Sequence, residues 1–108
     1  MATISKDNNI ITLINVFTVG PDNQQRLADI LIEATDKAMK YVPGFVSASI
    51  HRSFDGTKVV NYAQWRSRED FEAMMHNPEV RPHMEAAAAL AEYTPILCKV
   101  LDSISAPN

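Results

Sequence analysis

The sequence predicts a single α+β domain assembled from two β-α-β halves. Three observations carry this. Stretches of period two and stretches of helical period follow one another in the order β-α-β-β-α-β. An Asp55-Gly56 pair, the strongest short hairpin signal in the chain, lies between the second and third strands. The third strand, Val59 to Ser67, is rich in β-branched and aromatic residues and free of Gly and Pro. This order is the split βαβ, or ferredoxin-like, arrangement: a four-stranded antiparallel sheet with its helices on one face.

Residues 1–9 are polar and lack the basic-then-apolar layout of a signal peptide, so they are expected to form a flexible arm. The domain is expected over 10–102. Ile10 to Val19 forms the first strand, with Leu13, Asn15, Phe17 and Val19 on one face and Ile14, Val16 and Thr18 on the other. Gly20-Pro21 stops it. Asp22 reads as an N-cap with Gln25 three residues on. Leu27, Ile30, Leu31, Ala34 and Ala38 then make the apolar stripe of a helix, and Pro43-Gly44 ends the unit. Phe45 to Ser53 is the second strand. Strict alternation puts Phe45, Ser47, Ser49 and His51 on one face and Val46, Ala48, Ile50 and Arg52 on the other.

The third strand carries Val59, Asn61, Ala63 and Trp65 on one face and Val60, Tyr62, Gln64 and Arg66 on the other. Ser67 followed by Asp70 is a second capping signal, opening a short helix through Phe71, Met74 and Met75. Asn77-Pro78 breaks that helix and starts another, whose first turn Pro82 splits off. Met84, Ala87, Ala88 and Ala91 continue the stripe. Pro95 is expected to open the last strand, through Leu101, and 103–108 a loose tail.

A chain of 108 residues supports one core and hardly two. Hydrophobic residues make up 46% and charged residues 21%, ordinary for a globular protein. A net charge of −3 argues against nucleic acid as the main partner. No apolar run approaches the ~20 residues of a membrane span. The single Cys98 leaves no disulfide framework and fits a reducing cytoplasm, the expected location. The sheet face away from the helices would carry Val16, Val46, Ala48, Ile50, Val60, Tyr62, Ile96 and Val100. Water does not stably cover such a face, so a homodimer is expected.

Familiar catalytic constellations are missing from the sequence. Three Gly leave no phosphate loop, and one Cys leaves no zinc pair. His51, His76 and His83 are not spaced as ligands on one helix face. What remains is Asn15, Asn61 and Trp65. Asn61 and Trp65 share a strand face, ~13 Å apart at ~3.3 Å per residue. In a split βαβ sheet the first and third strands are central neighbours, which brings Asn15 beside Asn61. Polar groups set in an apolar wall are how small-molecule sites are built. The residues alone leave a second reading open, in which both Asn satisfy buried backbone groups and Trp65 fills the core. His51 shares the cavity face by simple alternation. Met74, Met75 and Met84 read either as core or as an adaptable apolar lining.

Asn15-Val16-Phe17, Pro43-Gly44-Phe45, His51-Arg52-Ser53 with Asp55-Gly56, and Asn61-Tyr62-Ala63-Gln64-Trp65 resemble the antibiotic biosynthesis monooxygenase family. The resemblance runs from the first strand to the last. It implies a dimeric α+β barrel and a monooxygenase that oxidises an aromatic polyketide-like phenol to a quinone. No cofactor is implied beyond O2 as co-substrate, and no metal. It also implies catalytic roles for Asn15, Asn61 and Trp65. Phe17, His51, Phe71, Met74, Met75 and His83 are the expected substrate-binding residues, with His51 as a candidate base. A small aromatic substrate and a second copy of the chain are then the partners, with no nucleic acid or membrane. Two rival readings stand beside this one: a non-catalytic dimeric ligand-binding module, and a haem-degrading monooxygenase. The second is disfavoured because Met74 and Met75 stand where those relatives carry a helix Trp.

Overall fold

A computed structural model of the chain describes residues 2–107; Met1 of the expected arm and Asn108 of the expected tail lie outside the described residues. The elements are β1 (Ile11–Thr18), α1 (Gln24–Lys37), β2 (Phe45–Arg52), β3 (Lys58–Trp65), α2 (Arg68–Met74), α3 (Arg81–Ala88) and β4 (Glu92–Cys98). The sheet order is β2-β3-β1-β4, and every neighbouring pair is antiparallel. This is the expected α+β, ferredoxin-like sheet, with its helical layer on one face.

Leu13, Phe17, Val59, Ala63 and Trp65 point from the central strands toward the helices and are buried. They meet Leu27, Ala28, Phe71, Met74, Val80 and Ala87 from the helical side, in two packed clusters. Trp65 is 1% exposed. It takes Phe45 edge-on at 5.6 Å between ring centroids and Phe71 at 6.0 Å. Such edge-to-face contacts match the positive ring edge to the negative face.

The helix signals split in outcome. Ser67 caps α2 as expected, its hydroxyl accepting from Asp70 N–H at 3.0 Å. Asp22 does not cap α1. It lies within a 3-10 turn, Pro21–Asn23, and α1 begins only at Gln24. Gln24 itself is buried, its amide donating to Ser53 O at 3.0 Å and Lys58 O at 2.9 Å. It thereby pins the start of α1 to the β2–β3 hairpin. Beyond α2, the Asn77 carboxamide accepts from Glu79 N–H at 2.9 Å and holds a turn. Regular helix resumes at Arg81, with Pro82 in its first turn, where a missing N–H costs nothing.

Two expectations are corrected. The first concerns β2. A register shift between Phe45 and Ser47 leaves Phe45 opposite Trp65 but puts Ala48 opposite Ala63 and Ile50 opposite Asn61. An extra residue in one strand reverses the facing of everything after it. Ala48 and Ile50 therefore face the helices, while Ser47, Ser49 and His51 face outward. The second concerns β4, which begins at Glu92 rather than Pro95 and ends at Cys98, leaving Val100 outside it. It is an edge strand, where a Pro without an N–H is tolerated. The arm adds a contact to the sheet's outer face, and the domain bounds remain an expectation from the sequence. Gln64 Nε2 donates to Thr3 O at 2.8 Å, and Ser47 Oγ donates to Gln64 Oε1 at 2.6 Å. The arm thus lies against the outer face at the Thr12–Gln64 end of the sheet and leaves Gln64 2% exposed.

Candidate active site

Between the sheet and the helices lies a cavity of about 280 Å³. That is near the lower limit of the ~300–1,000 Å³ usual for ligand sites. Seven of the nine residues expected at the site line it: Asn15, Asn61, Phe17, Phe71, Met74, Met75 and His83. The strand alternation on β1 and β3 was enough to place the first three. The α2 residues follow from the Ser67 cap, which sets the helix phase.

Asn15 and Asn61 are directly opposed in the β1–β3 register. Each has a buried Oδ1 with no hydrogen-bond partner. Buried polar atoms are ordinarily paired, and leaving one unpaired costs free energy. Two such acceptors side by side on a cavity wall are free to accept hydrogen bonds from groups that enter it. The alternative role, satisfying buried backbone groups, is not performed by either oxygen.

Trp65 and His51 do not line the cavity. Trp65 stands one layer behind, against Phe71, which does line it. Its Nε1–H is also buried and unpartnered. Trp65 is thus core in its packing, yet carries an unsatisfied donor. His51 is on the opposite side of the sheet, exposed, with Nδ1 3.4 Å from Val60 O. The bulge in β2 put it there, and its expected place in the cavity is corrected accordingly.

The sequence missed Tyr93, Pro95, Leu97, Thr35 and Met39, which also line the cavity. For Tyr93 a signal existed. Tyr93-Thr94 is a β-prone pair, and a Pro two residues beyond Tyr93 does not end an edge strand. Among the described residues no charged side chain lines the cavity, and its titratable groups are His83 and Tyr93. Among the described residues no cluster of three or more His, Cys, Asp or Glu is arranged to hold a metal ion.

A family model described as antibiotic biosynthesis monooxygenase matches residues 10–89. The chain belongs to that family. It is 46% identical over 108 residues to tetracenomycin-F1 monooxygenase of Streptomyces glaucescens, covering 100% of this chain and 96% of that one. Two solved members of similar shape are oxygenases. The monooxygenase from the gene ActVA-Orf6 of Streptomyces coelicolor, in complex with nanaomycin D, superposes with a TM-score of 0.78 at 27% identity, covering 93% of this chain and 94% of that one. SnoaB, a cofactor-independent oxygenase from Streptomyces nogalater, does so with a TM-score of 0.71 at 25% identity, covering 89% and 97%. The chain is accordingly a monooxygenase of the antibiotic biosynthesis family. The expectation of O2 as co-substrate without a resident cofactor agrees with SnoaB. No helix among the described residues is long and apolar enough to cross a membrane.

Proposed function

We propose that the protein oxidises a phenolic aromatic polyketide, such as an anthrone, naphthol or dihydroquinone, with O2 to a quinone, acting as a cytoplasmic homodimer. The observation that carries this is the pair of unpartnered carboxamide oxygens, Asn15 and Asn61, in a largely apolar cavity. A flat aromatic bearing hydroxyl groups satisfies both demands: its rings fill the Phe17–Phe71–Met74 walls and its O–H groups meet the carboxamides. The relatives, a tetracenomycin-F1 monooxygenase and a monooxygenase in complex with nanaomycin D, point to the same ligand class.

The chemistry needs no electron carrier. A phenol that loses its proton becomes electron-rich and passes one electron to O2. Radical and superoxide combine to form a C–O bond. The resulting hydroperoxide loses water, taking the remaining hydrogen from the same carbon, and leaves a carbonyl. What the protein supplies is stabilisation of negative charge where water is scarce, by donors already in place. The carboxamides of Asn15 and Asn61 hold the substrate oxygens, by N–H donation once these carry charge. The Trp65 N–H is assigned to the oxygen-derived group, which must reach it past Phe71.

The test is oxygen uptake by the purified, metal-free protein with a panel of anthrones and naphthohydroquinones. Uptake matched by quinone formation is expected. Tight binding of these compounds without uptake would replace the enzyme by a ligand-binding module.

A further inference from the structure

The cavity presents a difficulty for this chemistry. Ionising a phenol in apolar surroundings is costly unless the proton goes to a nearby group and the two charges stay paired. Carboxamides hydrogen-bond but do not take the proton. Resting on the reading above, we propose that His83 is the proton acceptor of the reaction.

The assignment comes from placement. His83 lines the cavity together with Asn15 and Asn61. It is half-buried on α3, and its neighbours at helical spacing, Val80 and Ala87, line the same cavity. Val80 and Ala87 are among the most buried residues of the helical layer, so that face of α3 has no freedom to turn away. The other imidazoles are elsewhere: His51 lies on the outer sheet face, and His76 is exposed beyond α2.

From β1, α1, β3, α2 and β4 the only titratable side chain on the cavity is Tyr93, itself an acid. Glu79, four residues before His83, is exposed and makes no ion pair with it among the described residues. His83 therefore faces the substrate with no carboxylate competing for its proton. Imidazole is the side-chain base whose ordinary titration lies nearest neutrality.

The proton balance closes on this one residue. The substrate O–H bond, in an anthrone that of its enol tautomer, breaks and its proton moves to a ring nitrogen, leaving an anion beside an imidazolium. The anion gives one electron to O2, and recombination forms the C–O bond as a peroxide anion. The imidazolium returns its proton to the terminal peroxide oxygen. Loss of water then leaves the carbonyl and a neutral His83.

The experiment uses 1,8-dihydroxyanthrone with the full chain, first without oxygen. Wild type should bind it and develop the absorption band of the anion at neutral pH. His83→Gln, close in size and still hydrogen-bonding, should bind the anthrone but leave it neutral. Under air its kcat should fall about 10²-fold or more, the usual share of a proton-transfer group. Its remaining rate should climb only at the higher pH where the substrate ionises unaided. His83→Ala should recover the anion band and turnover with added imidazole. An unchanged pH profile and rate in His83→Gln would overturn the assignment. So would a folded variant that no longer binds the anthrone, or a failure of imidazole to restore His83→Ala. No oxygen uptake by wild type would instead overturn the reading of function on which the assignment rests.

Discussion

Asn15 and Asn61 face each other across the two central strands of the sheet, each with a buried amide oxygen that no group among the described residues satisfies. Such a pair opposes folding. Apolar residues there would pack against Leu13, Phe17 and Ala63 without any unmet demand. On the proposed function, keeping the pair gives up stability for recognition, the trade commonly found at functional sites.

Asn61→Leu and Asn15→Leu should therefore leave the melting temperature unchanged or raise it, by the ~1–3 kcal/mol that an unsatisfied buried polar group costs. The same variants should lower kcat about 10²-fold, having lost a donor to a developing charge. Thermal melts and oxygen uptake on each variant check both halves. A fall in stability with unchanged turnover would return both residues to a structural role.

Trp65→Phe tests the indole separately. The edge contacts with Phe45 and Phe71 survive in part, and the unpartnered Nε1–H disappears. A modest loss of stability is expected, about 1 kcal/mol, as a partly filled cavity replaces a ring. If the N–H meets the oxygen-derived group, kcat falls much further than this loss explains while KM barely moves. Melting and steady-state kinetics on the one variant separate core from catalysis.

The Asn positions are legible in the sequence because β1 and β3 alternate without interruption, which pairs Asn15 with Asn61. His51 is not. Its facing depends on the bulge between Phe45 and Ser47, and no residue in Phe45-Val46-Ser47 announces one. Tyr93 was missed for a different reason. Pro95 reads in the sequence as the start of a strand, whereas an edge strand admits Pro internally. The cavity's shape was equally out of reach. It depends on how far Asn77 and Pro82 displace α3 from α2, a tertiary distance that periodicity does not encode.

Gly44 has φ +87°, and a Cβ there would run into the Asp70 side chain at the start of α2. Its carbonyl also accepts from Arg66 N–H at 2.8 Å, tying the α1–β2 connection to the end of β3. Gly44→Ala meets both a left-handed backbone penalty of ~1–2 kcal/mol and a steric conflict. A drop in denaturant midpoint larger than that penalty alone is expected. Gly44→Ala combined with Asp70→Gly should recover the steric part.

Asp55 organises the β2–β3 loop. It accepts from the Ser53 hydroxyl at 2.6 Å, the Thr57 hydroxyl at 2.7 Å and Thr57 N–H at 3.0 Å. These bonds, Ser53 first, lower its pKa from 3.8 to about 2. A carboxylate held below its unfolded value contributes stability that is fully present above pH 3.8 and disappears as pH falls toward about 2. Asp55→Asn should melt below wild type at neutral pH, and the gap should close across that acidic window. A gap independent of pH would locate the effect in shape rather than charge.

The sheet's outer face carries Ile14, Val16, Val60, Tyr62 and Ile96, half-buried or, for Ile96, 47% exposed. The N-terminal arm covers only the end near Thr12 and Gln64. Val60 lies in the open part, paired with Val16 on one side and with His51 on the other. A second copy laid on this face would bury these side chains, and Val60→Arg would then place a charge, beside an imidazole, in a dry interface. Light scattering should find a dimer in wild type at micromolar concentration. Val60→Arg should shift it to monomer and lower its melting temperature, more strongly when dilute, since a dimer's stability depends on concentration. Val60→Ala, which shortens the side chain without charging it, should remain largely dimeric. A monomeric wild type, or a Val60→Arg variant that stays fully dimeric, would leave this face to another partner.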